Sequence, residues 1–241
     1  MIKNLKKQFV IISTLLLAVA TPAMSATQNI QLKTESAMNA NGQKIIVNST
    51  ILYGDKKIRM ENEIVGNKNI PASMGKSTMI YDSAKKVMYM MMPQNKTVVK
   101  ADSETIAKLQ GNGGGNVNSQ LLSDPSQIQA QIKKQGGKMV GAETILGYLC
   151  DIWQMKQDIP MQGGAKESAT VKIWLAHKIS IPLRMLINSP TRGEIVSIRA
   201  KDIKTGVNIP ASTFEIPSGY TVSDVAQLMN QIKKRVPATK K

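Results

Sequence analysis

The sequence predicts an α+β protein that consists mainly of antiparallel β-sheet. Short runs in which apolar and polar residues alternate are separated by turn residues, a pattern typical of antiparallel strands. Lys57–Glu61 shows it clearly, because Ile58 and Met60 fall on one face and charged residues on the other. Amphipathic stretches at residues 125–135 and 223–234 have the spacing of helices. We therefore expect a sheet with one apolar side and a few helices that cover it.

The strand candidates are joined by short connections in both halves of the chain. Gly54-Asp55 separates the first two strands as a hairpin, and turns at residues 82–85 and 93–96 join the next three into a meander. Residues 188–193 join the last two strands. The predicted strands are Lys44–Tyr53, Lys57–Glu61, Thr78–Tyr81, Val87–Met92, Thr97–Val99, Tyr148–Met155, Val171–Ala176, Pro182–Asn188 and Glu194–Lys201.

The middle of the chain interrupts this pattern. Residues 102–109 have helical composition, and residues 111–116 are too rich in glycine for regular structure. Ser123-Asp124-Pro125 is typical of a helix start, and Gly136-Gly137 of a helix end. We interpret residues 26–241 as a single domain with a flexible, helical and glycine-rich insertion at about 102–137.

The N-terminus has the layout of an export signal. Three lysines precede the apolar run Phe9–Ala20, and Ala23-Met24-Ser25 supplies small residues for cleavage. The run is shorter than the roughly 20 apolar residues that a spanning helix needs. We expect residues 1–25 to be a signal peptide, cleavage near Ser25/Ala26, and a mature protein in the periplasm or secreted.

The charge and composition of the chain limit the classes of partner that it can bind. The formal net charge is +16, which attracts anionic partners such as a membrane surface. The basic residues are spread evenly, however, and aromatic residues make up only 4% of the chain. Platforms for stacking bases are therefore scarce, and with an export signal as well we expect no nucleic-acid partner.

Groups that could converge on a catalytic or metal site are few. The chain has one histidine, His177, and one cysteine, Cys150, which lie far apart in sequence. A triad or a zinc site needs more such partners, and the acidic residues show no spacing typical of a catalytic pair. We predict no enzyme activity, no cofactor and no metal ligands. A single cysteine also excludes an intramolecular disulfide.

A methionine-rich strand offers an alternative function. Met88, Met90 and Met92 point one way, and Tyr89 and Met91 the other. Thioethers are soft ligands for Cu(I), so a copper-binding envelope protein is one hypothesis. Methionines also suit an apolar core or cavity, and we favour that interpretation because no histidine or cysteine is nearby in sequence.

Several short motifs resemble an uncharacterised family of exported bacterial domains. Gly141–Trp153 resembles an ETI-x-GY-x-C signature, followed by Trp174-Leu175-Ala176, Pro182-Leu183 and Phe214–Tyr220. That family is similar to periplasmic lipoprotein carriers and outer-membrane lipoprotein-sorting proteins. The resemblance implies a curved half-barrel sheet over one or more helices with an apolar concave face, and it implies no catalytic residue.

These observations predict an open apolar groove, because the helices are short relative to the sheet. The groove would bind a lipid, an acyl chain or another apolar or amphiphilic molecule, and basic residues at its rim would meet an anionic headgroup. A non-catalytic structural or interaction protein with an envelope partner remains a further alternative. The predicted groove residues are Ile58, Met60, Met88, Met90, Met92, Trp153, Trp174, Leu183 and Met185, with Arg59 and Arg184 at the rim.

Overall fold

The computed structural model describes residues 29–40, 43–54, 56–66, 75–102, 105, 125–160 and 166–225. These residues form one twelve-stranded sheet and an α-helix. The strands are β1 (Ile30–Ala40), β2 (Gln43–Gly54), β3 (Lys57–Val65), β4 (Lys76–Asp82), β5 (Val87–Met92), β6 (Thr97–Asp102), β7 (Lys138–Ile145), β8 (Tyr148–Pro160), β9 (Lys166–Ala176), β10 (Pro182–Ser189), β11 (Gly193–Thr205) and β12 (Thr221–Asp224). The helix is α1 (Pro125–Lys134), and short 3-10 turns lie at Pro93–Asn95 and Ala211–Phe214.

The sheet is open and almost entirely antiparallel. Its strand order is β12-β6-β5-β4-β3-β2-β1-β11-β10-β9-β8-β7, and only β12 runs parallel to its neighbour, β6. Within the described residues, β7 and β12 each pair on one side only and form the two edges. The predicted fold class, mainly antiparallel strands in a single curved sheet with few helices, is confirmed.

One face of the sheet carries most of the core, and we call it the apolar face. Cross-strand register places its side chains in rows, since neighbours in a ladder share a face. One row joins Ile30, Tyr53, Ile58, Tyr81, Met88 and Ala101 across β1–β6. Another row joins Trp153, Ile173, Met185, Ile198, Ser36 and Val47 across β8–β11, β1 and β2. The apolar face therefore extends across both halves of the sheet.

The other side of the sheet, which we call the opposite face, is partly covered by residues 206–220. Ile216 and Tyr220 pack against a small cluster of Ile80, Met91 and Val98. The ring of Phe214 packs closely over Gly54, because a Cβ added at that glycine would lie in tight contact with two of its ring atoms, at 3.3 Å, and closer still, at 2.8 Å, to Asn29 Oδ1. Strands β4–β6 are thus buried on both faces.

Helix α1 packs on the apolar face and ends in a glycine motif. Ile132 is buried in the main core, and the Lys133 ammonium lies 5.5 Å from the centre of the Trp153 ring. The amide of Gly137 donates to the Ile132 carbonyl at 2.7 Å, and that of Gly136 to the Lys133 carbonyl at 3.0 Å. This pairing, with Gly136 at φ +79°, is a Schellman motif that ends the helix where the sequence predicts.

A carboxylate fixes the predicted turn between β10 and β11. Glu167, on β9, accepts hydrogen bonds from the Ser189 and Thr191 hydroxyls, each at 2.6 Å, and lies 3.2 Å from Arg192 Nη2. These donors stabilise the ionised form and lower the pKa of Glu167 from 4.5 to about 2, the hydroxyl of Ser189 contributing most.

Some predicted segments are altered or lie outside the described residues. Strands β1, β7 and β12 were not predicted, and residues 223 and 224 belong to β12 rather than to the start of a helix. Asp102, predicted to begin a helical stretch, is the last residue of β6. The signal peptide, residues 103, 104 and 106–124 of the insertion, and residues 226–234 of the predicted C-terminal helix lie outside the described residues. In the part of the chain that is described, no helix is long and apolar enough to cross a bilayer.

Candidate functional site

The structure brings most of the predicted groove residues to the apolar face. Ile58, Met60, Met88 and Met90 lie there on β3 and β5, and Trp153, Leu183 and Met185 lie there on β8 and β10. Met92 has the same orientation but lies at the end of β5, where it is 37% exposed. Except for Met90 and Met92, these side chains are buried, so the described part of the face is packed rather than an open groove.

Trp174 lies on the opposite face. Register pairs it with Ile152 and Arg184, one position out of phase with the row that contains Trp153. Its indole Nε1 donates to Glu143 Oε2 at 2.6 Å, and the Arg184 guanidinium lies 4.5 Å from the ring centre. Trp174 therefore does not line the apolar face with the other predicted residues.

The two predicted rim arginines also lie on the opposite face. Arg59 pairs with Glu61 at 2.8 Å and donates to the Thr213 carbonyl at 2.9 Å. Arg184 stacks on Trp174 and lies 3.8 Å from Glu143. Each arginine is held by partners of the fold, and neither lies on the apolar face.

Methionines are concentrated on the apolar face. Met60, Met79 and Met90 lie in one row across β3, β4 and β5. Because methionine has a flexible, polarizable side chain, such a surface adapts to ligands of variable shape. Among the described residues, register places these methionines on this face: Met38, Met60, Met79, Met88, Met90, Met92, Met139, Met155 and Met185.

A polar seam crosses the apolar face, and sequence reasoning did not find it. Thr34, Ser49, Asn62 and Ser77 lie in register across β1–β4, and Ser36 lies one row away on β1. Thr34, Ser36 and Ser49 are each buried. Beside the seam runs an apolar row of Leu32, Ile51, Met60 and Met79.

A cavity of about 540 Å³ lies on the opposite face, over β1–β4. Lys33, Thr50, Glu61 and Thr78 form one row of its lining, and Asn48, Glu63 and Lys76 form another. The polar-seam row, Thr34, Ser49, Asn62 and Ser77, runs between these two rows and also contributes to the lining. Lys76 and Glu63 form an ion pair at 3.2 Å across it. This cavity is polar, and none of the predicted groove residues lines it.

The single histidine and the single cysteine take separate positions. His177 Nε2 lies 2.6 Å from Asp151 Oδ1 at the end of the β8–β9 ladder. Cys150 is fully buried, and burial raises the pKa of its thiol. Within the described ranges, no three histidine, cysteine or acidic side chains cluster as metal ligands would.

Comparison with known proteins places the chain in a family. A family model described as Domain of unknown function (DUF4412) matches residues 29–181. The chain belongs to this family. A search of curated protein sequences found no match. The DUF4412 match fits the predicted uncharacterised family, whereas the short ETI-x-GY-x-C signature stays a prediction.

Several solved structures resemble the chain at low sequence identity. An uncharacterized conserved protein from Thermus thermophilus has a TM-score of 0.50 and 9% identity, with 89% of this chain and 96% of that chain covered. A chain of the Pseudomonas aeruginosa MucA/MucB complex has a TM-score of 0.44 and 12% identity. The match covers 90% of this chain but only 64% of that chain. A Vibrio parahaemolyticus domain named for outer membrane lipoprotein sorting has a TM-score of 0.38 and 11% identity, and the match covers 86% of this chain and 95% of that domain.

Proposed function

We propose that this DUF4412 protein is an exported binding or carrier protein that holds the apolar chain of an amphiphile against the apolar face. The observation that carries the proposal is a continuous, methionine-rich apolar face on a sheet whose described strands do not close into a barrel. Because the sheet is open, an element that covers the apolar face can separate from it and leave room for a ligand.

The free energies of burial allow an acyl chain to replace helix α1 on the apolar face. Each methylene of an acyl chain gains roughly 0.8 kcal/mol on burial, and exposing an isoleucine such as Ile132 costs about 1.5–3 kcal/mol. A few methylenes therefore offset the loss of the contact that anchors α1 to the sheet. The formal net charge of the full chain is +16, with three of its lysines in the predicted signal peptide, and the positive charge that remains would draw the exported protein to anionic membrane surfaces, where such amphiphiles are found.

The test is titration of the delipidated full-length protein with the fluorescent fatty acid cis-parinaric acid. Two variants form a matched pair, because Met79 and Met91 are buried methionines on the neighbouring strands β4 and β5 that face opposite sides of the sheet. A buried amide without a partner disfavours an apolar ligand, so we expect Met79→Gln to weaken binding about tenfold and Met91→Gln to leave it unchanged.

Thermal unfolding of both variants provides the control for folding. Absence of saturable binding to the wild-type protein would remove the carrier proposal. Equal losses of affinity in two folded variants would show that the ligand does not use the apolar face.

A second candidate function, binding of a soft monovalent metal ion, rests on the row of Met60, Met79 and Met90. Three adjacent strands present these thioethers side by side, and thioethers prefer Cu(I). Titration with Ag(I), a soft ion of the same charge, should give a site that Met79→Leu weakens and Met91→Leu does not. Identical Ag(I) affinities for the wild-type protein and Met79→Leu would exclude this function.

A further inference from the structure

The polar seam on the apolar face is unusual because it is in register across four strands and because Thr34 and Ser49 in it are buried. Thr34, Ser49, Asn62 and Ser77 occupy one continuous row over four strands. A buried hydroxyl without a hydrogen-bond partner is costly, and replacement by apolar residues of similar shape would remove that cost. A polar row in this place therefore calls for a role other than packing.

The hydrogen bonds of the seam run in one direction. Ser49 Oγ donates to Asn62 Oδ1 at 2.7 Å, and Asn62 Nδ2 donates to Ser77 Oγ at 3.4 Å, which leaves the Ser77 hydroxyl proton at the end of the chain. One row away, the Ser36 hydroxyl is only 1% exposed and has no hydrogen-bond partner in the described part of the structure. The seam thus offers donors, and its natural complement is an acceptor.

A second buried donor lies on the same face. Trp153 Nε1 has no partner within the described ranges, and Trp153 shares a cross-strand row with Ser36. An indole nitrogen donates and never accepts. Both buried polar atoms left without a partner on this face are therefore able to donate to a ligand oxygen.

The acceptor that fits this surface is neutral. Among the described residues of β1–β6, register places no charged side chain on the apolar face. The ammonium of Lys133, on α1, is exposed and lies against Trp153 on β8, four strands away from Ser36 on β1. Arg59 and Arg184, which would pair with a phosphate or carboxylate, lie on the opposite face. A buried anion without a counter-charge would be strongly disfavoured.

We infer that the seam binds the carbonyl of an ester or amide linkage in an acylated amphiphile, with the acyl chain on the adjoining apolar row. This inference rests on the proposed function and names the class of ligand. The Ser36 hydroxyl donates to the carbonyl oxygen, and the row of Leu32, Ile51, Met60 and Met79 contacts the chain. A free hydrocarbon or an ether-linked lipid lacks that acceptor.

The experiment compares ligands that differ only in the linkage. Monopalmitoylglycerol, its ether analogue hexadecylglycerol and its amide analogue N-(2,3-dihydroxypropyl)palmitamide compete with cis-parinaric acid for the full-length protein. The variants are Ser36→Ala and, as a matched control, Ser168→Ala, because Ser168 is an exposed serine on β9. A neutral hydrogen bond corresponds to roughly two- to twelvefold in affinity.

We expect the wild-type protein and Ser168→Ala to bind the ester and the amide more tightly than the ether by such a factor. Ser36→Ala should lose that preference and keep its affinity for the ether. If all three ligands bind equally to every variant, the inference is overturned and the carrier function stands. If none of the three displaces the probe, the carrier function itself fails.

Discussion

The glycine after the C-terminus of α1 provides the sharpest test of how the apolar face is covered. A Cβ at Gly137 would lie 2.3 Å from Ile132 Cγ2 and 2.6 Å from the Ile132 carbonyl oxygen. The second contact is with backbone, so Ile132 must move. Ile132 is only 1% exposed, and full burial of an isoleucine is worth about 1.5–3 kcal/mol. Gly137→Ala should therefore weaken the docking of α1 by about 2 kcal/mol, or roughly thirtyfold, if the movement exposes much of the Ile132 side chain.

Hydrogen exchange measured by mass spectrometry reports this docking directly. We expect amides in residues 129–134 to exchange faster in Gly137→Ala, while amides of β1 and β2 keep their protection. Gly141→Ala is the matched control, because its added Cβ would meet only Ile152 Cδ1, at an ordinary 3.7 Å. Unchanged exchange in Gly137→Ala, or equal acceleration in both variants, would refute this account of the cover.

Three further predictions concern groups away from the seam. The pKa of Glu167 lies below its usual value, so its ionised form stabilises the fold above about pH 4.5, and this contribution is lost as pH falls to about 2. Urea unfolding should show that the free energy of unfolding of Glu167→Gln lacks this pH dependence. The same dependence on pH in the wild-type protein and the variant would contradict the prediction. Because burial raises the pKa of Cys150, Ellman's reagent should label the thiol only after denaturation, and stoichiometric labelling of the native protein would show that it is accessible. Because Arg184 lies on the opposite face, Arg184→Ala should bind cis-parinaric acid as the wild-type protein does, and a tenfold loss would place the ligand elsewhere.

The sequence predicts those strands whose buried face is apolar. Strands β2 to β6 and β8 to β11 were found because residues such as Ile58 and Met60 alternate with polar neighbours. Strand β1 was missed because its buried positions include Thr34 and Ser36, which hide the alternation. Strand β7 was missed because it is an edge strand with little buried surface on either face.

Which face of the sheet each site residue occupies was harder to predict than where the strands lie in the sequence. Ile173, Trp174, Leu175 and Ala176 are all apolar and all buried, so their order does not show which face each one occupies. The strand register decides it, because Ile173 pairs with Met185 on the apolar face, and Trp174 pairs with Arg184 one position away, on the opposite face. The polar seam escaped for a related reason, since serine, threonine and asparagine are normally interpreted as solvent-facing residues.

The central claim is that an acyl chain lies on the apolar face, and photo-crosslinking tests it most directly. A palmitoyl ligand with a diazirine at the end of its chain would be irradiated on the full-length protein, and the labelled peptides identified by mass spectrometry. We predict labels on apolar-face residues of β1–β5, such as Leu32, Met60 and Met79. Labels confined to the polar cavity lined by Lys33 and Glu61, or no saturable labelling, would contradict the claim.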